Sequence, residues 1–305
     1  MKKGISLNIF NSLGYARWED NKYKKLKEHG FSCVDFEMAN TDTLLYTYDE
    51  KQATELLLNE KQLAENSGIE FYQVHGPWRY PVKDSTEEER AERMEKMKKS
   101  IRYTSILGAK YWVVHPLMPF GVDELGANKK EKARKINIEF FRELLKTAKE
   151  YGVVICLENM PFLSFPLSKP ADIYSIVKEI NDANFKMWFD TGHAFVFDDL
   201  NIYDEIKKCV DEIKVFHIHD TKCNLDLHMF PRFGNINWDD FSKALTEIGF
   251  DGCFSLETGV PGKFSDNLFE ETAKLLSKIN VYQVVQLVLI FLMLQINLVY
   301  FHIFR

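Results

Sequence analysis

The sequence predicts an α/β fold, a closed barrel of eight parallel strands in which each strand is followed by a helix. Short apolar runs alternate with longer amphipathic stretches eight times along the chain. Parallel strands need a long crossover between them, and a helix is the usual one. Eight such units over about 280 residues match the size of a (β/α)₈ TIM barrel.

The predicted strands are short apolar runs, several of which are preceded by a helix that ends in glycine. They span 4–10, 32–37, 70–75, 110–115, 153–158, 185–190, 214–219 and 252–257. The predicted helices lie between them, at 18–29, 49–67, 86–107, 129–151, 170–182, 200–212, 237–248 and 265–279. Asp49, Asn237 and either Ser85 or Thr86 stand where helix N-caps are expected.

Composition and charge argue against several classes of protein. The 305 residues carry a net charge of −6 and no dense block of Lys or Arg, which argues against a nucleic-acid partner. Five cysteines are scattered without a C-x-x-C pair, which favours buried thiols in a reducing compartment. The N-terminus lacks the sustained apolar stretch of a signal peptide, so we expect a cytoplasmic protein.

The far C-terminus changes composition abruptly after Asn280. Residues 281–303 contain no Asp, Glu, Lys or Arg, and this length is close to the roughly 20 residues that span a bilayer. Three interpretations stay open: an anchor that tethers the protein to a membrane, an apolar helix packed on the barrel or on a partner, and an artefact of the reading frame. Glutamines and an asparagine within the stretch weaken the anchor interpretation. We therefore predict one catalytic domain over 1–280 and a separate apolar tail over 281–305.

Acidic residues and histidines stand at the predicted C-terminal ends of the strands, where TIM barrels place their active sites. In FKMWFDTGH (185–193), an apolar run ends in Asp190 and is followed by Gly192 and His193. An unpaired acid at the tip of a buried strand is costly, so a partner or a metal is expected there. Gly192 would allow a sharp turn that returns His193 to the same spot. The alternative for this segment alone is an Asp that caps the next helix.

Four such residues come from four consecutive predicted strands, namely Glu158, Asp190, His217 and Glu257. Their side chains should converge on one side of the barrel mouth. Three carboxylates and one imidazole can bind a divalent cation, and this oxygen-rich set favours Mn²⁺, Mg²⁺ or Co²⁺ over Zn²⁺. A salt bridge or a loop cap would explain any one of them, but four together favour a metal site.

An ordered set of motifs resembles the sugar phosphate isomerase/epimerase family of xylose-isomerase-like TIM barrels. The motifs are His75-Gly76-Pro77, His115-Pro116, Leu157-Glu158-Asn159, Phe189-Asp190-Thr191-Gly192-His193, His217-x-His219-Asp220, Asp226-x-His228 and Leu256-Glu257-Thr258. Together they cover roughly residues 4–279. The resemblance implies one divalent metal (Mn, Mg, Co or Zn) held by Glu158, Asp190, His217 and Glu257. It also implies a small carbohydrate substrate, phosphorylated or not.

The same superfamily contains endonucleases of the endonuclease IV type, which act on abasic DNA and hold three zinc ions. In this chain, the positions of their additional ligands are occupied by His75, His115, His193, Asp226 and His228. These residues are therefore candidates for further metal or substrate contacts. Against this alternative, the chain is acidic and no Arg- and Lys-rich loop follows the first three predicted strands. A barrel without catalysis that serves as a binding module is a third alternative, and the intact ligand set argues against it.

The leading hypothesis is an isomerase or epimerase that works through a metal-stabilised enediolate. Such a reaction moves a proton next to a carbonyl and needs a base and an acid. We assign these roles to Glu158 and Glu257, which can approach a substrate from different sides. His219, Trp78 and Arg232 are assigned to substrate binding. His219 takes a position often held by lysine in relatives, and Trp78 could wall a sugar-sized pocket. Free-sugar epimerases carry an arginine shortly after the histidine of the seventh strand, and Arg232 is the arginine of this chain nearest to that position.

Overall fold

Eight parallel strands and a separate hairpin make up the β-structure of the computed structural model, which describes residues 2–6, 21–40, 44–77, 86–117, 128–258 and 264–279. The strands are β1 (Lys2–Ser6), β2 (Cys33–Glu37), β3 (Glu70–His75), β4 (Tyr111–Val114), β5 (Val154–Glu158), β6 (Phe185–Asp190), β7 (Ile213–Ile218), β8 (Asp220–Lys222), β9 (Leu225–Met229) and β10 (Cys253–Leu256). The barrel closes in the order β1-β10-β7-β6-β5-β4-β3-β2, and β8 pairs with β9 in an antiparallel hairpin. The predicted α/β barrel is confirmed.

Helices follow the barrel strands as the alternating pattern predicted. They are α1 (Lys22–His29), α2 (Leu44–Thr47), α3 (Glu50–Asn66), α4 (Glu87–Leu107), α5 (Lys129–Glu150), α6 (Pro170–Ile180), α7 (Thr191–Phe195), α8 (Ile202–Lys208), α9 (Trp238–Ile248) and a helix over 266–279. Three predicted N-caps are present: Asp49 forms a capping box with Gln52, Thr86 caps α4, and Asn237 caps α9. Each cap satisfies backbone N–H groups that the first helical turn leaves unpaired.

Besides the short helix α2, which was not predicted, two features differ from the sequence-based expectation. The hairpin of β8 and β9 occupies a segment that we expected to be a loop. Cys223 and Asn224 at its tip have φ of 57° and 56°, as a two-residue type I′ turn requires. Cysteine is unusual at such a turn, which hid the signal. The second difference is α7, which starts directly after Asp190 where we expected a sharp turn, and Gly192 lies inside this helix without a left-handed backbone.

The barrel interior is layered, because every second residue of a strand points inward. An apolar layer, which we term the floor, is a buried cluster formed by Val113, Val154, Cys156, Trp188 and Val215. Two residues further along the same four strands stand His115, Glu158, Asp190 and His217. These residues belong to the next layer, which we term the mouth, about 7 Å further along the strands.

No helix within the described ranges is long and apolar enough to cross a membrane. Residues 281–303, for which we considered an anchor, a packed helix and an artefact, lie outside the described residues. The division into a catalytic domain over 1–280 and a tail over 281–305 therefore stays a prediction.

Candidate metal centre

Four side chains from consecutive barrel strands meet at the mouth. One ligand-type atom from each of Glu158, Asp190, His217 and Glu257 lies within 4.8 Å of the others. The strand register explains the meeting, because Asp190 pairs with His217 and His217 pairs with Ser255, two residues before Glu257. We term these four residues the central group. The structure brings them together as the sequence predicted, and their role as metal ligands stays a prediction.

His217 is held so that one ring nitrogen faces this group. Its Nε2 lies 2.8 Å from Asp35 Oδ2, and its Nδ1 lies 2.8 Å from Glu158 Oε1 and 3.0 Å from Glu257 Oε2. Gln73 Nε2 donates to the same Asp35 oxygen at 3.1 Å. A carboxylate behind a histidine sets which nitrogen carries the proton and leaves the other to bind a metal. Asp35 was missed by the sequence analysis, although an acid inside the apolar run of β2 was a signal.

The electrostatics of the central group favour a positive charge at its centre. Burial lowers the pKa of His217, but the charges of Glu257 and Glu158 outweigh burial and raise this pKa well above its usual value. Burial raises the pKa of Glu158, yet His217 and His115 bring it well below its usual value. The carboxylates around His217 thus make this point favourable for positive charge, and the donor set fits a divalent cation.

Asp190 both caps a helix and belongs to the central group. Its Oδ1 accepts a hydrogen bond from the backbone N–H of His193 at 2.7 Å, so it caps α7 as the simpler alternative expected. Its Oδ2 lies 3.9 Å from His217 Nδ1, within the central group. The backbone N–H of Asp190 donates to Asn159 Oδ1 at 2.9 Å, and Asn159 Nδ2 donates back to the Asp190 carbonyl at 3.0 Å. Asn159 therefore fastens the tip of β6 to the tip of β5.

A second group, which we term the side group, shares Glu158 with the central group. One ligand-type atom from each of His75, His115 and Glu158 lies within 4.8 Å of the others. Glu158 Oε2 lies 2.9 Å from His115 Nε2 and 3.9 Å from His75 Nε2, whereas Oε1 faces His217. His75 Nδ1 donates to the Gly76 carbonyl at 2.9 Å, which leaves its Nε2 for the group. Glu158 therefore places one carboxylate oxygen in each of two groups.

A third group, the hairpin group, consists of His193, His219, Asp226 and His228. Asp226 Oδ2 lies 3.5 Å from His193 Nε2 and 3.3 Å from His228 Nε2. The Nδ1 atoms of these two histidines donate at 2.8 Å to the carbonyls of Asn159 and Glu257, respectively. Their Nε2 atoms are thereby left to face Asp226. The β8–β9 hairpin, which the sequence analysis did not predict, supplies both Asp226 and His228.

A cavity of about 310 Å³ adjoins the three groups and is lined by members of each, including Glu158, His193, Asp226 and Glu257. Phe162 and Met160 contribute apolar surface, and the described lining holds no Lys or Arg. This volume lies at the small end of the range for small-molecule sites.

Glu37, the last residue of β2, lies on the cavity wall and was missed by the sequence analysis. Its Oε1 accepts a hydrogen bond from the backbone N–H of Ala39 at 2.5 Å. Burial raises the pKa of Glu37 to about 7, although His75 acts in the opposite direction. The signal was available, because Glu37 ends a predicted strand just as Glu158 does.

The three residues assigned to substrate binding stand in different places. Trp78 lies outside the described residues. Arg232 is not part of the described cavity lining, and its Nη2 lies 3.5 Å from Asp239 Oδ1. His219 is fully buried and also outside the described lining, with its Nε2 3.0 Å from Asp190 Oδ1. Their assignment to substrate binding stays a prediction.

The chain belongs to the xylose isomerase-like TIM barrel family, whose family model matches residues 23–279. This match confirms the resemblance read from the motifs. A D-psicose 3-epimerase of Ruminiclostridium cellulolyticum is 26% identical over 259 residues, which cover 80% of this chain and 81% of that protein. A probable endonuclease 4 of Acholeplasma laidlawii is 26% identical over 209 residues, which cover 64% of this chain and 67% of that protein.

Solved structures share the same barrel. A D-tagatose 3-epimerase-like protein superposes with a TM-score of 0.72 at 26% identity, over 94% of this chain and 98% of that one. The IOLI protein, solved with a binding zinc atom, superposes with a TM-score of 0.71 at 21% identity, also over 94% and 98% of the two chains. The family and the fold are thus established.

Proposed function

We propose that the protein is a divalent-metal-dependent isomerase or epimerase of a small sugar or sugar derivative. The observation that carries this proposal is the central group, four ligand-type atoms from four consecutive strands within 4.8 Å, beside a cavity of about 310 Å³. A sugar epimerase among the relatives supports the choice of substrate class. The described lining holds no Lys or Arg, which favours an uncharged sugar over a sugar phosphate.

The central group would hold the cation, and Mn²⁺, Mg²⁺, Co²⁺ and Zn²⁺ all accept such ligands. When bound, the cation would act as a Lewis acid that stabilises negative charge on adjacent substrate oxygens. Asp35 would orient His217 from behind, and the hydrogen bonds of Asn159 would keep Asp190 in place. The protein thus would provide a preorganised site, which is the main requirement for charge stabilisation.

Glu158 and Glu257 would transfer the proton. One carboxylate removes a proton from the carbon next to a carbonyl, and the other returns a proton to the opposite face or to the neighbouring carbon. The two residues belong to β5 and the end of β10, which are not neighbours in the barrel. Their Oε1 and Oε2 atoms lie 2.8 and 3.0 Å, respectively, from His217 Nδ1, so they approach this point from different strands.

A second candidate is a multinuclear phosphodiesterase that acts on abasic DNA. The side group and the hairpin group favour it, because together with the central group they could hold more than one cation. A cation in the side group would occupy Glu158 Oε2, and both oxygens of this carboxylate would then be committed to metal binding. The number of bound ions therefore bears directly on whether Glu158 is available as a base. The net charge of −6 and the lining without Lys or Arg argue against a DNA substrate.

Ion counting combined with two activity measurements tests these candidates. The full chain is loaded with Mn²⁺ or Zn²⁺, dialysed, and analysed by inductively coupled plasma mass spectrometry. The same sample is incubated with D-psicose and a panel of other ketoses, with products separated by chromatography, and with an abasic duplex in a nicking assay. One tightly bound ion with sugar interconversion supports the first candidate. Three ions with nicking and no sugar turnover would replace it with the second.

A further inference from the structure

His219, a member of the hairpin group, contacts Asp190 of the central group and His228 of its own group. Its side chain is fully buried. Its Nε2 lies 3.0 Å from Asp190 Oδ1 and 3.1 Å from Asp190 Oδ2. Its ring stacks on His228 with a centroid distance of 4.1 Å and an angle of 17° between the ring planes. One side chain thus joins a carboxylate at the tip of β6 to the hairpin.

The surrounding backbone is shaped to hold this imidazole. The His219 backbone N–H lies 3.1 Å from Thr191 Oγ1, and the Thr191 hydroxyl lies 2.8 Å from the His219 carbonyl. A Cβ atom added at Gly192 would lie 1.9 Å from His219 Cε1. Gly192 does not have a left-handed backbone, so this position needs glycine because the imidazole occupies the space of a side chain.

The geometry argues against His219 as an additional metal ligand of the hairpin group. An imidazole binds a metal through a lone pair in the plane of its ring, and two nearly parallel stacked rings cannot both direct such lone pairs at one ion. Nε2 also lies 3.9 Å from Asp226 Oδ1, further than from Asp190. A hydrogen bond to the Asp190 carboxylate requires the proton on Nε2, which leaves no lone pair there. Nδ1 is then an acceptor, and it has no hydrogen-bond partner among the residues that the structure describes.

We propose that His219 is a positioning residue for the central group, which donates from Nε2–H to Asp190 and supports His228 with its ring face. Its Nε2 lies at nearly the same distance from both carboxylate oxygens, so it holds the Asp190 carboxylate in position beside the proposed cation site. The inference rests on the cation proposed above for the central group. Loss of a residue that hydrogen-bonds to a metal ligand typically weakens metal affinity by about 10–100-fold.

Two substitutions separate the functions of the His219 side chain. His219→Phe keeps a ring that can stack but removes the donor, whereas His219→Gln keeps an N–H near the place of Nε2 but removes the ring. Mn²⁺ affinity of the full chain is measured by competition with a fluorescent chelator, and thermal melting is followed by circular dichroism. We expect His219→Phe to weaken Mn²⁺ binding by about 10–100-fold and His219→Gln to weaken it by less than about threefold. His29→Gln, at a buried histidine at the end of α1, is the matched control and should leave Mn²⁺ affinity unchanged.

Wild-type Mn²⁺ affinity in His219→Phe would overturn this inference, even if the variant melts earlier, because a merely structural role changes only the melting temperature. Loss of one bound ion in His219→Gln would also overturn it, since His219 would then be a ligand. Gly192→Ala serves if His219→Phe does not fold, because its methyl group displaces the imidazole; it should weaken Mn²⁺ binding, and unchanged affinity would reject the inference. If the wild-type protein binds no cation, both the proposed function and this inference are rejected. If the wild-type protein binds Mn²⁺ and His219→Phe binds it equally well, this inference alone is rejected.

Discussion

The floor and the mouth of the barrel lie one strand period apart and have opposite chemistry. Trp188 and Val215 of the floor are completely buried, and so are Asp190 and His217, two residues further along the same strands. Burial alone therefore does not distinguish the two layers. The floor gains stability from the removal of apolar surface from water. The mouth buries polar groups at a cost, and such a layer is retained where it has a function.

The two layers are also in contact. The Trp188 ring packs against His217 at a centroid distance of 4.4 Å and an angle of 68°. The floor thus limits the orientations that the His217 ring can take, while Asp35 determines which ring nitrogen carries the proton. We expect substitutions in the floor to lower stability and those in the mouth to lower activity or metal binding. Substitutions in each layer test this division.

The largest effect is expected for Glu158→Gln in the mouth. Loss of an ionised carboxylate removes the assigned base, so turnover should fall by about 10²–10⁴-fold. The melting temperature should also fall, because His217 and His115 each lose a charged partner in a buried site. Glu205→Gln is the control, since Glu205 is equally buried but lies on α8 beside Lys208. Wild-type turnover in Glu158→Gln would refute the role of this residue.

Trp188→Ala tests the floor. Removing this fully buried ring leaves a cavity, and the free energy of unfolding should fall by about 3–5 kcal/mol. Urea denaturation followed by circular dichroism measures the change. Trp188→Phe should lose less, because it fills part of the space. An unfolding free energy equal to that of the wild type in Trp188→Ala would show that the floor does not carry the stability we assign to it.

Removal of the metal tests whether the mouth depends on a cation. A ligand present at 100 times its dissociation constant stabilises the folded state by about 2.7 kcal/mol. We therefore expect a chelator to lower the melting temperature of the metal-loaded protein, as measured by differential scanning calorimetry. Asp190→Asn should remove most of this dependence because it weakens the central group. A chelator effect of the same size in Asp190→Asn would place the stabilising ion elsewhere.

The smallest effect is expected for Gly4→Ala in β1, at a residue that is a member of neither the floor nor the central group. A Cβ atom at this position would lie 2.6 Å from Cys253 Sγ and 3.2 Å from Cys33 Sγ. Such overpacking should lower the free energy of unfolding by about 1–3 kcal/mol without a change in Mn²⁺ affinity. Adding Cys253→Ala makes room for the methyl group, so the double variant should recover part of the loss. A change in metal affinity instead would show that the packing around β1 and the mouth are coupled more tightly than we infer.

Local patterns were enough to predict the barrel and the central group. Glu158, Asp190 and Glu257 each follow an apolar run, and the parallel connectivity places the ends of all strands at one rim. The same rule would have found Glu37, had the end of β2 been considered. The hairpin was not predictable in this way, because its turn carries Cys223 where glycine or asparagine is the usual signal. Asp35 was visible as an acid inside an apolar run, but its partner could not be predicted, because His217 is 182 residues away in the chain.

The order of residues along the chain is enough to show which types of side chain stand at the ends of the strands. Alternation and apolar runs are properties of neighbouring residues, so they are readable without coordinates. Only the tertiary structure decided which atom of each side chain faces which partner. It alone shows Glu158 with one oxygen in each of two groups, and His219 turned toward Asp190 while Gly192 makes room for it. The reason is physical: a hydrogen bond or a metal site depends on distances of a few ångströms, and these arise only when distant segments pack together.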